Sequence, residues 1–367
     1  AVLVEKFELA AAIDAYRATG LRAVLCPLLA DKTRREEMPI DPADLPGPLR
    51  ELLEADTAPS AEFLLERAEA ALDKAESAGS SRITGAVGPS APQRSTDRFL
   101  LGCMELAESR DVPLHTHLLE TKTQAHHAQG VYGKTIPEHL QDLGYLTPRA
   151  SFAHSVWVTD SDVQLLAENG CRVAHNPGSN LKLGSGIAPV RKFLDAGVPV
   201  GLGIDGANSS DKGSVFYQAR LAALIHCVRD GDAARGVSPF EALRMAARGG
   251  AAVMLMEEKL GTIEAGKQAD LVVLNRTLNF EPWLDPVSAL AFAEDGDSVE
   301  SVFIEGEEVV RDGRALVADR EEMLRIVEGA ARRLRENLPE AVAEAESLRP
   351  HLHAVSRKYS AIPFDQA

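Results

Sequence analysis

Cysteine is scarce in this chain of 367 residues: Cys26, Cys103, Cys171 and Cys227 are widely spaced, and no CxxC pair occurs. That excludes a disulfide framework and the usual thiolate spacings for zinc or redox chemistry. Cys26 and Cys171 fall within apolar, strand-like runs and read as reduced structural thiols. Long apolar runs are also missing. The longest, such as AGVPVGLGI, fall well short of the roughly 20 residues that span a bilayer. No signal peptide precedes the first helix, so no membrane partner and a cytoplasmic location are expected. Positive charge is in deficit, with 39 Lys and Arg against 55 Asp and Glu, a formal charge of -16. Nucleic-acid affinity depends on cations that neutralise phosphates, so a nucleic-acid partner is not expected. Nor is there a dinucleotide fingerprint: GLGIDG lacks the glycine spacing, and the helix after it starts too late.

What remains is a chain with 45% apolar residues, enough for one large domain or one large and one small. Helical and strand-like segments alternate from residue 6. KFELAAAIDAYRATG reads as a helix closed by Gly20, residues 60–78 as a long amphipathic helix, and STDRFLLGCMELAESRD as a capped helix. Strands are predicted at 21–28, 83–88, 112–117, 151–154, 171–175 and 198–205. Strands separated by helices of 10–15 residues mark βαβ units and a parallel sheet. These six strands fall two short of a closed eight-stranded (β/α)8 TIM barrel. The segments after Asp205 are helical and do not supply them, so the first two barrel strands are expected to precede the chain. From about residue 260 the texture changes to short β-rich runs, ADLVVLN, VESVFIEGEEVV and GRALV, which fit a small antiparallel sheet. A charged helix closes the sequence. The expected division is a barrel over 1–258, a small β-sandwich portion over 259–318 and a helical extension over 319–367.

Several of the strands end in metal-ligating or proton-transferring side chains. VPLHTH carries His115 and His117, SFAH ends in His154, CRVAH in His175, and VPVGLGID in Asp205. Barrel enzymes draw their catalytic groups from the carboxyl ends of several strands. One such histidine is usually a core residue; several in succession point to chemistry. HNPGSNLKLGSG, directly after a strand, is rich in Gly, Pro, Ser and Asn and reads as an irregular loop over a pocket. His351 and His353 have a His-x-His spacing but follow a helix end with no apolar strand, and are set aside. Phe216, Tyr217 and Trp157 are possible stacking groups or core residues.

The motifs HTHLLE, AHNPGSNLKLGSG, GIDG and GTIEAGKQADLVVL, in this order, resemble the metal-dependent amidohydrolase superfamily. The branch is that of guanine deaminase, adenosylhomocysteine deaminase and the triazine hydrolases. The resemblance runs over nearly the whole chain, to about residue 318. It implies that His117 and Asp205 are metal ligands, and that Glu120 meets a ring nitrogen of the substrate and shuttles protons. His154 would neighbour the water used in hydrolysis. His115 would support or pack beneath the site. Asn176 and Asn180 would be structural hydrogen-bonding groups, and His175 would touch substrate or brace its strand end. His175, Asn180 and Trp157 are the candidate substrate-binding residues. The first-strand His-x-His of the family has no counterpart before residue 112.

The implied cofactor is one divalent cation, Zn2+ first, with Fe2+ or Mn2+ as alternatives. A Lewis-acidic cation makes water a nucleophile near neutral pH, and Asp205 and Glu120 are suited to proton transfer. The expected reaction replaces an exocyclic amino group on a purine, pterin, pyrimidine or s-triazine with oxygen and releases ammonia. Loss of chloride or an alkylamine from a triazine-like ring, attack on an acyclic amidine, and a non-catalytic binding or scaffold protein are the alternatives. The expected partners are a small heterocycle and further copies of the chain, in a homodimer or higher homo-oligomer.

Overall fold

A computed structural model describes residues 2–4, 9–37, 45, 47–229, 231–317 and 319–366. Seven parallel strands form its main body. They are β1 (Val2–Val4), β2 (Ala23–Pro27), β3 (Ile83–Gly85), β4 (Leu114–Leu118), β5 (Ala150–His154), β6 (Arg172–His175) and β7 (Val200–Leu202). β1, β2 and β3 pair in that order, as do β4 to β7. Parallel bridges Leu29↔Pro89 and Val87↔Leu114 carry the hydrogen bonding from one group to the next. Helices fill the connections, so the arrangement is an α/β fold of TIM-barrel-like architecture.

The sequence suggests six of these strands. The seventh is VLV, paired in register Val2↔Leu25 to Val4↔Pro27. Three residues are too few to show a period of two, which hid this strand. With it, the described residues contain seven parallel strands where six were expected. The first helix runs Leu9–Thr19; the expected start at 6–8 and the domain edge at residue 318 lie outside the described residues.

Side-chain caps mark where several of the helices start. Capping boxes Thr121–Gln124, Thr135–Glu138, Thr159–Asp162 and Ser238–Glu241 satisfy orphan N–H groups and define where helices begin. The core lies between the sheet and these helices. Phe99, Leu100 and Cys103 of the helix Asp97–Ser109 join Leu114, Leu118, Phe152, Val173 and Phe193 in one buried cluster. Burying each large apolar side chain contributes about 1.5–3 kcal/mol. Burial also raises the Cys26 thiol to a pKa of about 12, in keeping with an inert structural thiol. β7 approaches a π-helical turn, Met245–Gly249, so closely that a Cβ on Gly249 would lie 1.9 Å from the Val200 carbonyl oxygen. No other residue type fits there.

A second, antiparallel sheet follows in the order β11-β10-β9-β8, formed by β8 (Leu271–Leu274), β9 (Val299–Ile304), β10 (Glu307–Arg311) and β11 (Arg314–Ala315). Ion pairs tie it to the main body. Arg22, just before β2, donates to both oxygens of Asp270 at 2.7 and 2.9 Å and lies 3.3 Å from Glu305. Arg82, before β3, reaches Glu305 at 3.1 Å and Glu307 at 2.7 Å. A 41-residue helix, Arg320–Ser360, completes the fold.

Burial alone would raise the Asp270 carboxyl, but the Arg22 hydrogen bonds, the Glu305 N–H and the charges of Arg22 and Arg82 outweigh it and hold it below the usual range. Glu305 is lowered too: burial opposes the shift, and hydrogen bonds from Ser81 and Arg82 with the Arg22 charge prevail. A carboxyl with a lower pKa in the folded state adds stability above its unfolded pKa of about 4, and loses it as pH falls through the folded value. Asp270→Asn should therefore lower the unfolding free energy at pH 7 by about 1–3 kcal/mol and flatten its decline below pH 4, as read by urea denaturation across pH.

Candidate active site

The carboxyl ends of β4 to β7 bring the candidate residues together. β4 and β5 pair with Leu118 opposite His154 and His117 opposite Ala153. The imidazoles of His117 and His154 nevertheless stack, with centroids 5.4 Å apart and planes 21° from parallel, where the left-handed backbone of His154 (φ 71) departs from strand alternation. Each is fixed through Nδ1. His117 Nδ1 lies 2.6 Å from the Ser90 carbonyl oxygen, which can only accept, so Nδ1 carries the proton. His154 Nδ1 lies 2.8 Å from Asn180 Oδ1 and donates likewise. Both rings thus keep an Nε2 lone pair, the form in which imidazole binds a cation or accepts a proton. Desolvation, then the neighbouring His154, lowers the His117 pKa; contacts with Ser90, Glu120 and Asp205 oppose this without reversing it. A neutral ring results.

Asp205 follows β7 in a left-handed conformation, φ 58. Its Oδ1 accepts from the Gly206 N–H at 2.6 Å and its Oδ2 from Ser179 Oγ. Glu120 Oε1 accepts from Ser185 Oγ at 3.1 Å, and its own N–H donates to Gln124 Oε1 at 2.7 Å. Leu119, His154 and Ser155 also have positive φ, at 44, 71 and 47. Left-handed conformations at four non-glycine residues of neighbouring strand ends each cost about 1–3 kcal/mol. Such strain gathers where the surrounding packing holds side chains in a required geometry.

His115 sits deeper in β4. Its Nδ1 is 2.7 Å from Ser151 Oγ, and burial drives its pKa down to about 3. It lies two positions before His117 on the same strand. His175 is fully buried, with Nε2 3.2 Å from His226 Nε2, and desolvation, His226 and His154 hold its pKa well below the ordinary value. Trp157 stands beside the Glu120 side of the site, its Nε1–H donating to the Ser185 carbonyl at 2.6 Å.

One expectation is corrected. The stretch after His175 is not an irregular loop: Pro177–Leu183 is a helix, with Pro177 in the first turn and Gly184 as a left-handed cap at φ 68. Gly and Pro mark this helix's ends. Pro177, Gly178, Ser179 and Asn180 are buried, which is how Ser179 and Asn180 reach Asp205 and His154. Sequence reasoning missed Ser90, Ser179, Ser185 and His226. Ser179 and Ser185 lie in the quoted motif AHNPGSNLKLGSG, whose polar residues after a strand were an available signal, while Ser90 lies outside every quoted motif. His226 lies mid-helix and gave none.

The donor chemistry fits a divalent cation at two points. His117 offers a neutral Nε2 with Nδ1 engaged, and Asp205 offers a carboxylate already oriented by two donors. Among the described residues, however, no group of three or more His, Cys, Asp or Glu is placed to share one cation.

Comparison with known proteins identifies the family. The amidohydrolase family model matches residues 5–309. A 5-methylthioadenosine/S-adenosylhomocysteine deaminase of Desulforudis audaxviator is 38% identical over 266 residues, 71% of this chain and 61% of that protein. A 5'-deoxyadenosine deaminase of Methanothermobacter thermautotrophicus is 34% identical over 254 residues, 69% of this chain and 59% of that protein. Among solved structures, a zinc-bound adenosine deaminase from Xanthomonas campestris matches with a TM-score of 0.79 and 26% identity, covering 91% of this chain and 71% of that one. A zinc complex of an atrazine chlorohydrolase from Arthrobacter aurescens TC1 gives 0.79 and 25%, covering 89% and 71%. The chain spans about three fifths of the length of the curated relatives it matches. With the family model covering most of the sequence, and the site residues gathered at the carboxyl ends of parallel strands, the chain belongs to the amidohydrolase family.

Proposed function

We propose that this chain carries the larger part of a metal-dependent deaminase that replaces the exocyclic amino group of an adenine-type nucleoside with oxygen and releases ammonia. One observation carries the reading: two stacked imidazoles, each proton-bearing at Nδ1, and two oriented carboxylates lie on adjacent ends of parallel strands. The 34–38% identity to deaminases of 5'-modified adenosines favours these substrates over the chlorinated triazine of a 25% identical structural relative.

His117 and Asp205 would hold the cation, with zinc first because two of the structural relatives are zinc-bound. When bound, such a cation supplies Lewis acidity and brings the pKa of water toward 7. The remaining work falls to side chains. Asp205 accepts a proton from the attacking water, and the Ser179 and Gly206 donors hold its carboxylate at the required angle. His154, locked by Asn180, keeps Nε2 toward the same water and orients it. Glu120 delivers its proton to the ring nitrogen beside the attacked carbon; Asp205 passes the water-derived proton to the departing amine, and the adduct's hydroxyl proton returns to Glu120 as the carbonyl forms, while Ser185 fixes which Glu120 oxygen faces the ring. Trp157 and Asn180 flank the substrate; His175 braces the strand end through His226.

An eight-stranded barrel to which residues 1–258 contribute, a β-sandwich of which 259–318 is part, the helical extension 319–367, a homo-oligomer and a cytoplasmic location complete the proposal. Among the described residues no helix is long and apolar enough to cross a membrane.

The test is ammonia release from 5'-methylthioadenosine, S-adenosylhomocysteine, 5'-deoxyadenosine and adenosine after loading with zinc, iron or manganese. Release that requires metal supports the reading. Silence with every metal and nucleoside overturns it in favour of a binding or scaffold role. In active protein, Asp205→Asn should cut turnover at least ~10³-fold and Glu120→Gln at least ~10²-fold, the scale of general acid–base contributions. Elemental analysis separates the two, because Glu120→Gln should retain its metal. Asn180→Leu should free the His154 ring and lower turnover by roughly tenfold or more, the kinetic equivalent of about 1.4 kcal/mol for one lost buried hydrogen bond.

A further inference from the structure

We propose that Phe364 and Gln366, beyond the helix Arg320–Ser360, are positioning residues that strap together the two loops carrying Trp157 and Ser185. The inference rests on the proposed role of Glu120 only for its kinetic consequence. Gln366 Nε2 donates to the Val156 carbonyl at 2.5 Å and to the Ile187 carbonyl at 3.0 Å. These carbonyls belong to different loops, one after β5 and the other after the helix Pro177–Leu183. One amide group therefore spans the gap between them.

Trp157 lies inside that gap and is held from every side. Its Nε1–H is engaged by the Ser185 carbonyl. Phe364 meets it edge-on, with centroids 5.9 Å apart at 82°. Lys122 Nζ sits 5.5 Å above the ring and donates to the Ser360 carbonyl at 2.9 Å, so the same ammonium joins the ring to the end of the long helix. Gly186 presses against the indole: a Cβ there would lie 2.9 Å from Val156 Cγ1 and 3.3 Å from Trp157 Cζ2, at φ +122. His126 completes the seat, edge-on to Phe364 at 5.6 Å and stacked on Tyr359 at 5.9 Å.

From this strap the path to the chemistry is short. Ser185, whose carbonyl receives the Trp157 N–H, sends its hydroxyl to Glu120 Oε1. Residues 359–366 thus decide how firmly the Ser185 loop is held, and with it the aim of the Glu120 carboxylate. Holding a reacting group in place is worth large rate factors, and small misplacements are costly. Neither Phe364 nor Gln366 touches Glu120, so both act through the loops.

The test uses the full chain with Trp283→Phe, which leaves Trp157 as the sole tryptophan. Phe364→Ala, Gln366→Leu and the double variant are compared with Phe364→Tyr as the conservative rescue. The expected result is at least a twofold rise in the acrylamide quenching constant of Trp157 in the double variant, restored toward the parent by Phe364→Tyr alone. With 5'-methylthioadenosine, kcat should fall at least tenfold while KM moves less than threefold. Gln366→Leu preserves side-chain bulk and serves if the double variant fails to fold. Unchanged Trp157 quenching overturns the proposal, as does loosened Trp157 with unaltered kcat. If the parent itself releases no ammonia, the deaminase reading fails, and Trp157 quenching alone still decides whether the strap exists.

Discussion

The parallel pairing of β4 with β5 is the constraint on which the site depends. With Leu118 opposite His154, the last residue of β5 and the next-to-last residue of β4, His117, come within one register position of each other. Strand side chains alternate between faces, so a slip of one residue would turn His117 to the opposite face and break the stack. Two separate anchors hold the register. Below, Ser151 is paired with His115 and their side chains are hydrogen-bonded. Above, the N–H groups of Ser155, Val156 and Trp157 return to the carbonyls of Leu118 and Leu119. The loop after β5 is therefore fastened to the end of β4 as well as to its own strand.

The second layer of the site works by removing options from the first. Imidazole can expose either nitrogen, but Ser90 and Asn180 occupy Nδ1 on both stacked rings. A carboxylate can rotate, yet Asp205 receives one donor on each oxygen. The helix Pro177–Leu183 supplies two of these restraints at once, Ser179 to Asp205 and Asn180 to His154. It is itself held from behind by Gln218, whose Oε1 accepts the Gly178 N–H at 2.9 Å. Four left-handed backbone conformations at the neighbouring strand ends are tolerated because this surrounding network over-determines them. The strain and the restraints are two sides of one design, in which groups are placed before substrate arrives.

Much of this was legible in the sequence. The strands ending in His154 and His175 are continuous apolar runs, the mark of strands buried on both faces, and they end where expected, whereas the strand before Asp205 ends at Leu202, three residues short of its expected limit. β1 was not legible because three residues carry no periodicity and its status depends on pairing with β2. The helix Pro177–Leu183 was concealed for a different reason. Its composition is that of a loop, and the segment is helical because Pro177 and Gly184 serve its ends while its buried side chains find partners on other strands. His226 and Gln366 had no local signature at all. Their significance comes from partners 51 and 210 residues away, a separation over which no pattern in a single sequence reports contact.

The ion cluster at the other end of the strands bears on the same question of what is fixed in advance. Arg22 and Arg82 stand immediately before β2 and β3, and their carboxylate partners Asp270 and Glu305 stand at turns of the antiparallel sheet. Because Arg22 and Arg82 are both largely shielded from solvent, with side chains 10% and 13% exposed, leaving either without its carboxylates would strand a desolvated charge. The pairs therefore fix the position of the small sheet more than they add net stability. That end of the molecule is held by charge. At the carboxyl end, around the candidate site, the restraints are instead hydrogen bonds and aromatic contacts. Those orient the reacting groups without placing a competing full charge beside Asp205 and Glu120.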